Sequence, residues 1–224
     1  MNAVSLRVEG KPNYFSMRHI SEPTEAGNRK EFLASIGFDP SSVARGEQVH
    51  GDNIIMIEHP GNYPATDALV TKRRNLPLAV SVADCVPILL VDTATHAVAA
   101  VHAGWRGTAK GIAGKTIQYM IKTVRSDPEN IFAFIGPSAG VCCYEVGREV
   151  VENFSKEYYV DSQEDGKYKL NLKRANFTQL NEEGVPANNI EVSEACTICG
   201  ENFHSYRRDG EASGRMLAVI GMKS

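Results

Sequence analysis

Between residues 78 and 101 the apolar positions fall into three short runs. Leu78, Val80 and Val82 alternate with Ala79 and Ser81, the period of two that predicts a strand. Pro87 opens a second run, Ile88-Leu89-Leu90-Val91, closed by Asp92-Thr93. Ala97 to Val101 is a third, of small and β-branched residues suited to a buried strand. The short link from Asp92 to His96 predicts a hairpin between the last two. Upstream, Asn53 to Ile57 reads as another strand.

After Gly107 the period changes. Ile117, Met120, Ile121 and Val124 stand at i, i+3, i+4 and i+7, one apolar face of a helix that Ser126-Asp127-Pro128 should stop. Ile131–Ile135 predicts a strand broken by Gly136-Pro137. Helices are expected over Arg148–Phe154 and Leu172–Glu183, the second closed by Gly184, and a last strand over Met216–Ile220. Strands outnumber helices and short turns join several of them, which argues against a doubly wound nucleotide fold. The expectation is a mixed α/β (α+β) architecture with helices covering sheets.

The bulk numbers narrow the function. A chain of 224 residues fits one domain over residues 1–224 with a substantial core. A net charge of −3 with scattered basic residues argues against nucleic-acid or membrane partners. The longest basic run, Lys72-Arg73-Arg74, reads as a solvated turn. No stretch approaches the roughly 18 apolar residues of a membrane helix. Met1 to Leu6 lacks the pattern of a signal peptide, so a cytoplasmic protein is expected. Five cysteines, an odd number in no regular framework, are expected to be free or metal-bound rather than a disulfide scaffold.

The candidate chemistry gathers at His50, Cys85 and His102, each at the expected end of a strand beside a Gly- or Pro-bearing turn, where a scaffold can project side chains into a shared pocket. Two imidazoles and a thiolate form a borderline-soft set suited to Zn²⁺, and three ligands leave the open position of a catalytic site. The same residue types also fit a cysteine nucleophile, with His102 as base and Asp84 or another carboxylate orienting it. Cys196-Thr197-Ile198-Cys199 has the spacing of half a zinc ribbon. The adjacent pair Cys142-Cys143 does not supply the other half in sequence, so these thiols are expected to be free ones near a turn. Gly104-Trp105-Arg106-Gly107 before a helix could hold an anion. Phe203 to Gly210 places Arg207 and Arg208 beside aromatics, either as a nucleobase- or phosphate-facing loop or as a solvated turn.

A set of strings taken in order is more specific. Gln48-Val49-His50-Gly51, Thr66-Asp67-Ala68, Ala83-Asp84-Cys85-Val86-Pro87 and His102-Ala103-Gly104-Trp105-Arg106-Gly107 are followed by Tyr144-Glu145-Val146-Gly147 and Cys196-Thr197. Ser205 to Gly210 and Gly214-Arg215-Met216 complete the series. Together they resemble the YfiH-like, laccase-domain family of purine nucleoside phosphorylases. The resemblance implies a layered α/β/β/α sandwich with mixed sheets and a zinc held by His50, Cys85 and His102. It also implies phosphorolysis of adenosine, inosine, guanosine and methylthioadenosine, with adenosine deamination as a further activity. One departure stands near the start. Phe15-Ser16-Met17-Arg18 keeps an arginine, but His19-Ile20-Ser21 replaces the family's Gly-Gly turn and the loop to Asn28-Arg29 is short.

Phosphate would attack the anomeric carbon through an oxocarbenium-like state, with Arg18 and Arg106 expected to offset its charge. The expected partners are a small nucleoside and phosphate, for a monomer or small homo-oligomer. The rivals are a copper-dependent polyphenol oxidase, a cysteine hydrolase or cell-wall precursor editing enzyme, and a binding module indifferent to Cys85→Ala. Copper in a multicopper centre wants many imidazoles, whereas this chain has six histidines and no His-x-His pair.

Overall fold

Strands that are apolar on both faces need cover on both sides, and residues 86–103 are built that way. The computed structural model describes residues 3–4, 15–18 and 26–223, with 3–4, 15–18 and 26–29 described by backbone alone. In the central hairpin, β8 (Val86–Asp92) pairs antiparallel with β9 (Val98–Ala103). Leu89, Val91, Val98 and Ala100 point into one core, while Ile88, Leu90, Ala99 and Val101 point into another.

The first of these cores lies between two sheets. One sheet has the order β1 (Ala3–Val4), β2 (Phe15–Arg18), β15 (Met216–Ile220), β7 (Leu78–Val82), β3 (Ala44–Gly46) and β5 (Gly61–Tyr63). The other runs β14 (Ile190–Val192), β10 (Ile131–Ile135), β8, β9, β6 (Ala68–Thr71) and β4 (Ile54–Met56). Leu78, Val80, Ala218 and Ile220 of the first sheet meet Leu89 and Val98 of the second. Outside the second sheet lie α3 (Ile112–Val124) and α5 (Leu172–Glu182), whose Ile117, Met120 and Leu180 are fully buried, each worth about 2 kcal/mol. Outside the first, α1 (Ala26–Ser35) sets Phe32 and Leu33 on Ala79, Leu217 and Val219. The result is the expected α/β/β/α stack of mixed sheets. A small third sheet, β11 (Glu145–Gly147), β13 (Lys167–Leu170) and β12 (Tyr159–Asp161), stands beside it. The short helices α2 (Trp105–Ala109), α4 (Arg148–Val151) and α6 (Tyr206–Asp209) link these layers.

Two boundaries differ from the sequence pattern for local reasons. The third run does not stop at Val101, because Pro87 and Val86 go on pairing with His102 and Ala103. His102 therefore lies inside β9 rather than at its end. The helix expected over Arg148–Phe154 stops at Val151, where the Asn153 side-chain amide donates to the carbonyls of Glu149 and Val150 and closes the turn. Helix α3 does stop just ahead of Ser126-Asp127-Pro128, with Arg125 in the left-handed conformation (φ 62°) of a C-terminal cap. No helix among the described residues is long and apolar enough to cross a membrane.

Candidate metal centre and its cavity

Three chain segments from both large sheets bring His50, Cys85 and His102 together. His50 lies in the turn after β3 with φ 58°, Cys85 in the bend between β7 and β8, and His102 in β9. Their ligand atoms all lie within 4.8 Å of one another. The two imidazoles meet edge to face, with centroids 4.9 Å apart. His102 is buried, Cys85 half-buried and His50 exposed, so the group opens towards solvent on the His50 side.

A single carboxylate arranges two of the three. Asp67, fully buried just before β6, accepts from the amides of Val49 (3.2 Å), His50 (3.1 Å) and Gly51 (2.8 Å). The left-handed turn at His50 aims these successive N–H groups at one point, the concave arrangement that binds anions. The same carboxylate lies 2.7 Å from His102 Nδ1, which leaves Nε2 for the cluster. Burial pushes Asp67 up, but the bond from His102 and the amides of Gly51 and Val49 outweigh it and hold the carboxyl below its usual range. Burial likewise opposes charge on His102, yet Asp67 and Cys85 lift it to about 9. Burial also pushes the Cys85 thiol up, and the hydrogen bonds of His102 and His50 bring it down to about 6. Without metal the site is thus a thiolate facing an imidazolium. The carboxylate that orients His102 is Asp67, not Asp84.

Asp84 has a different task. It sits at φ 83°, a left-handed conformation costly for a residue with a Cβ. Its carboxylate accepts from Thr197 Oγ1 (2.6 Å), Ser205 Oγ (3.1 Å) and the Arg207 amide (2.7 Å), which hold the bend before Cys85. Gln48 fixes the other side through a paired amide bond with Ser81 of β7, 2.8 Å in each direction. Gly104 leaves room where they meet: a Cβ there would stand 2.9 Å from the His50 ring and 3.1 Å from Cys85 Sγ.

The donor set and the space agree with a metal of zinc's character. Two imidazoles and an ionised thiol converge, and the His102 nitrogen facing away from the cluster is engaged by a carboxylate, as metal-bound histidines usually are. The three residues line a cavity of about 700 Å³, in the range of small-molecule sites. Its walls carry Arg45, Arg207 and Arg215 together with Tyr144 and Tyr206. The Arg207 guanidinium lies 5.2 Å from the Tyr144 ring and that of Arg215 lies 5.5 Å from the Tyr206 ring. Burial and the Cys85 charge lift the Tyr144 phenol to about 12, so it keeps its proton at neutral pH.

Other sequence candidates fall elsewhere. The Arg106 guanidinium lies 4.4 Å over the Trp105 ring in α2 and does not line this cavity. Arg18 closes β2 opposite Leu217, and its side chain lies outside the described residues, as do His19, Ile20 and Ser21. Of the two arginines in α6, Arg207 faces the cavity, while Arg208 donates to the carbonyls of Thr197, Ile198, Gly200 and Phe203. The loop reading of Phe203 to Gly210 offers Arg207 as a phosphate- or nucleobase-facing group, Asp67 and Arg215 stand only within the family strings, and Arg45 is not singled out by sequence. The signal for Asp67 is its place in the Thr66-Asp67-Ala68 string, directly before the apolar run Ala68-Leu69-Val70.

Cys142, Cys143, Cys196 and Cys199, expected as separate free thiols, form a second group whose sulfurs lie within 4.8 Å of one another. Strands β10 and β14 are parallel neighbours, so the loops leaving them emerge at the same edge of the sheet.

The fold and site define a four-layer α/β/β/α protein whose His–Cys–His cluster shares a cavity with three arginines. The chain belongs to the YfiH family: the family model described as multi-copper polyphenol oxidoreductase laccase matches residues 19–223. It is 38% identical to purine nucleoside phosphorylase YlmD of Geobacillus stearothermophilus over 88% of this chain and 78% of that protein. Adenosine deaminase RL5, from an unknown prokaryotic organism, is 36% identical over 87% of this chain and 80% of its own. The crystal structure of YfiH from Bacillus licheniformis superposes with a TM-score of 0.84 at 33% identity, covering 96% of this chain and 89% of that one.

Proposed function

We propose that this protein is a zinc-dependent purine nucleoside phosphorylase, acting on adenosine, inosine, guanosine and methylthioadenosine, with adenosine deamination as a further activity. The observation that carries the reading is the placement of His50, Cys85 and His102 beneath a cavity whose walls hold three arginines and two tyrosines. The names of the relatives support the same chemistry.

His50, Cys85 and His102 would hold the metal. When bound, zinc supplies a localised positive charge and a water of lowered pKa. The remaining roles fall to this chain's side chains. Arg45, Arg207 and Arg215 offset the charge of phosphate. Tyr144 and Tyr206 offer ring faces to a purine, and the Tyr144 hydroxyl stays a hydrogen-bond donor. Phosphate oxygen bonds to the anomeric carbon as the bond to the purine nitrogen breaks; the electron pair leaves with the base, which takes up a proton. The products are the base and the sugar 1-phosphate, which is ribose-1-phosphate for the three ordinary nucleosides and its 5-methylthio derivative for methylthioadenosine. Asp67 holds the proton on His102 Nδ1 and fixes the ring. The protein is proposed to act in the cytoplasm.

A second reading follows from the order Asp67–His102–Cys85, which is also that of a cysteine hydrolase with an activated thiolate. Copper, which the description of the family model favours, could occupy the same three ligands. Among the described residues, the other group of three or more ligating side chains is the four cysteines, which offers no imidazoles for a multicopper centre. Metal analysis of the purified protein, with chromatography of adenosine incubated with phosphate, tests the reading. Zinc, with adenine and ribose-1-phosphate formed by the wild type and not by Cys85→Ala, is the expected result. Stoichiometric copper with dye oxidation, or a metal-free protein inert towards nucleosides, sinks it.

A further inference from the structure

The four cysteines away from the cavity come from two loops, one after β10 and one after β14. The loops continue the parallel pairing of their strands: Ser138 bridges to Cys196, and the Thr197 amide donates to the Ser138 carbonyl at 3.0 Å. Cys142 and Cys143 occupy a turn closed by the Cys143 and Tyr144 amides on the Gly140 carbonyl. Cys196 and Cys199 occupy a turn closed by the Gly200 amide on the Cys196 carbonyl.

Distances separate the possible chemistries. The sulfurs of Cys142 and Cys199 are 3.9 Å apart, far beyond the roughly 2.05 Å of a disulfide. Four thiolates at about 2.3 Å around one tetrahedral ion have edges of about 3.8 Å. We propose that Cys142, Cys143, Cys196 and Cys199 form a second, structural metal site, a tetrahedral four-thiolate centre for zinc. Each thiol gives its proton to solvent as its sulfur bonds to the ion, with no change of oxidation state.

The surroundings are built for such a centre. The Gly140 amide donates to Cys196 Sγ at 3.2 Å, and a Cβ at Gly140 would stand 2.9 Å from Cys196 Cβ and 3.2 Å from Cys142 Sγ. Four thiolates around a dication leave two net negative charges, and cations stand close by. Buried Lys173 donates to the Ser193 and Ala195 carbonyls just before Cys196. Lys169 donates to the Cys142 carbonyl, and Arg208 to those of Thr197 and Ile198. With all four ligands protein-derived, the site has no open position and so belongs to the structural class.

What it holds in place is the cavity wall. Tyr144 follows Cys143 directly, and Thr197, between the other two ligands, donates to Asp84 beside Cys85. The ion would clamp both loops against the bend that carries Cys85.

The test uses the full chain in a His50→Ala/Cys85→Ala background, which strips two ligands from the cavity cluster. Metal analysis and X-ray absorption should find one zinc per chain with four sulfurs at about 2.3 Å. Adding Cys142→Ser and Cys199→Ser, both at exposed positions, should remove that zinc. In the otherwise wild-type chain the same serine pair should lose one of two zinc equivalents and keep the other, with an unchanged circular dichroism spectrum showing that it folds. The proposal is overturned if the background variant binds no sulfur-coordinated zinc. It is equally overturned if all four thiols react freely with a thiol reagent in excess zinc, or if the mass falls by two hydrogens per disulfide formed.

Discussion

The two ligand clusters are opposites in construction. His50, Cys85 and His102 arrive from three segments, and an acid that touches no metal position, Asp67, sets two of them. The four cysteines arrive from two neighbouring loops, supported by backbone amides and outlying cations. The first mixes nitrogen and sulfur, is incomplete by one ligand and opens into a cavity; the second is all sulfur and complete. On the proposed readings, ligand count and what stands beside the ligands would separate a centre able to react from one able only to hold.

The comparison breaks most sharply at Cys85. Cys85→Ala should lower kcat/KM for adenosine phosphorolysis by about three orders of magnitude, read by product chromatography. The Cys142→Ser/Cys199→Ser pair should instead show itself in the melting curve. Next comes Asp67→Asn, expected to weaken zinc at the cavity site about 10- to 100-fold in competition with a chromophoric chelator, while zinc at the cysteine site is unaffected. A pair of glycine substitutions sharpens the contrast further. Gly104→Ala should perturb only the cavity site, and Gly140→Ala only the cysteine site, each costing about 1–3 kcal/mol of stability in urea titrations.

The smaller effects depend on pH. In metal-free protein, alkylation of Cys85 should rise through a midpoint near pH 6 and then level off, because the thiol has its folded-state pKa at about 6. Cys85→Ala identifies the reactive phase. For Asp67, a carboxyl held below its unfolded value contributes stability above the unfolded pKa and loses it as pH falls through the folded one. Urea stabilities of wild type and Asp67→Asn should therefore converge as the solution is acidified below about pH 4.

Much of the fold was legible because periodicity reports burial. Leu78–Val82, Ile131–Ile135 and Met216–Ile220 have the limits their patterns predict. The miss at β9 is instructive: His102 breaks the apolar run, yet ladder pairing to Pro87 carries the strand through it. The layered order itself came from the family strings, since no local pattern says which sheet lies on which. The cavity wall was harder to read. Arg45 in β3, Arg207 in α6 and Arg215 just before β15 reach one cavity only through topology, and an arginine has the same sequence signature whether it faces a pocket or water. Arg106 shows the reverse case, a motif residue that lies over the ring of its neighbour Trp105 and does not line the cavity. The cysteine cluster was hidden because Cys142 and Cys199 lie far apart in the chain and meet only through the parallel pairing of β10 with β14.

The carboxylate of Asp67 has one more consequence. It grips the ring of His102 and the backbone of His50 at once, so these imidazoles are not independent variables. Changes at Asp67 and at either histidine should fail to add in a double-mutant cycle, because the first change already loosens what the second removes. In evolutionary terms the three positions are epistatic: drift at the acid erodes selection on both rings together, and neither histidine is free to wander while the acid stays.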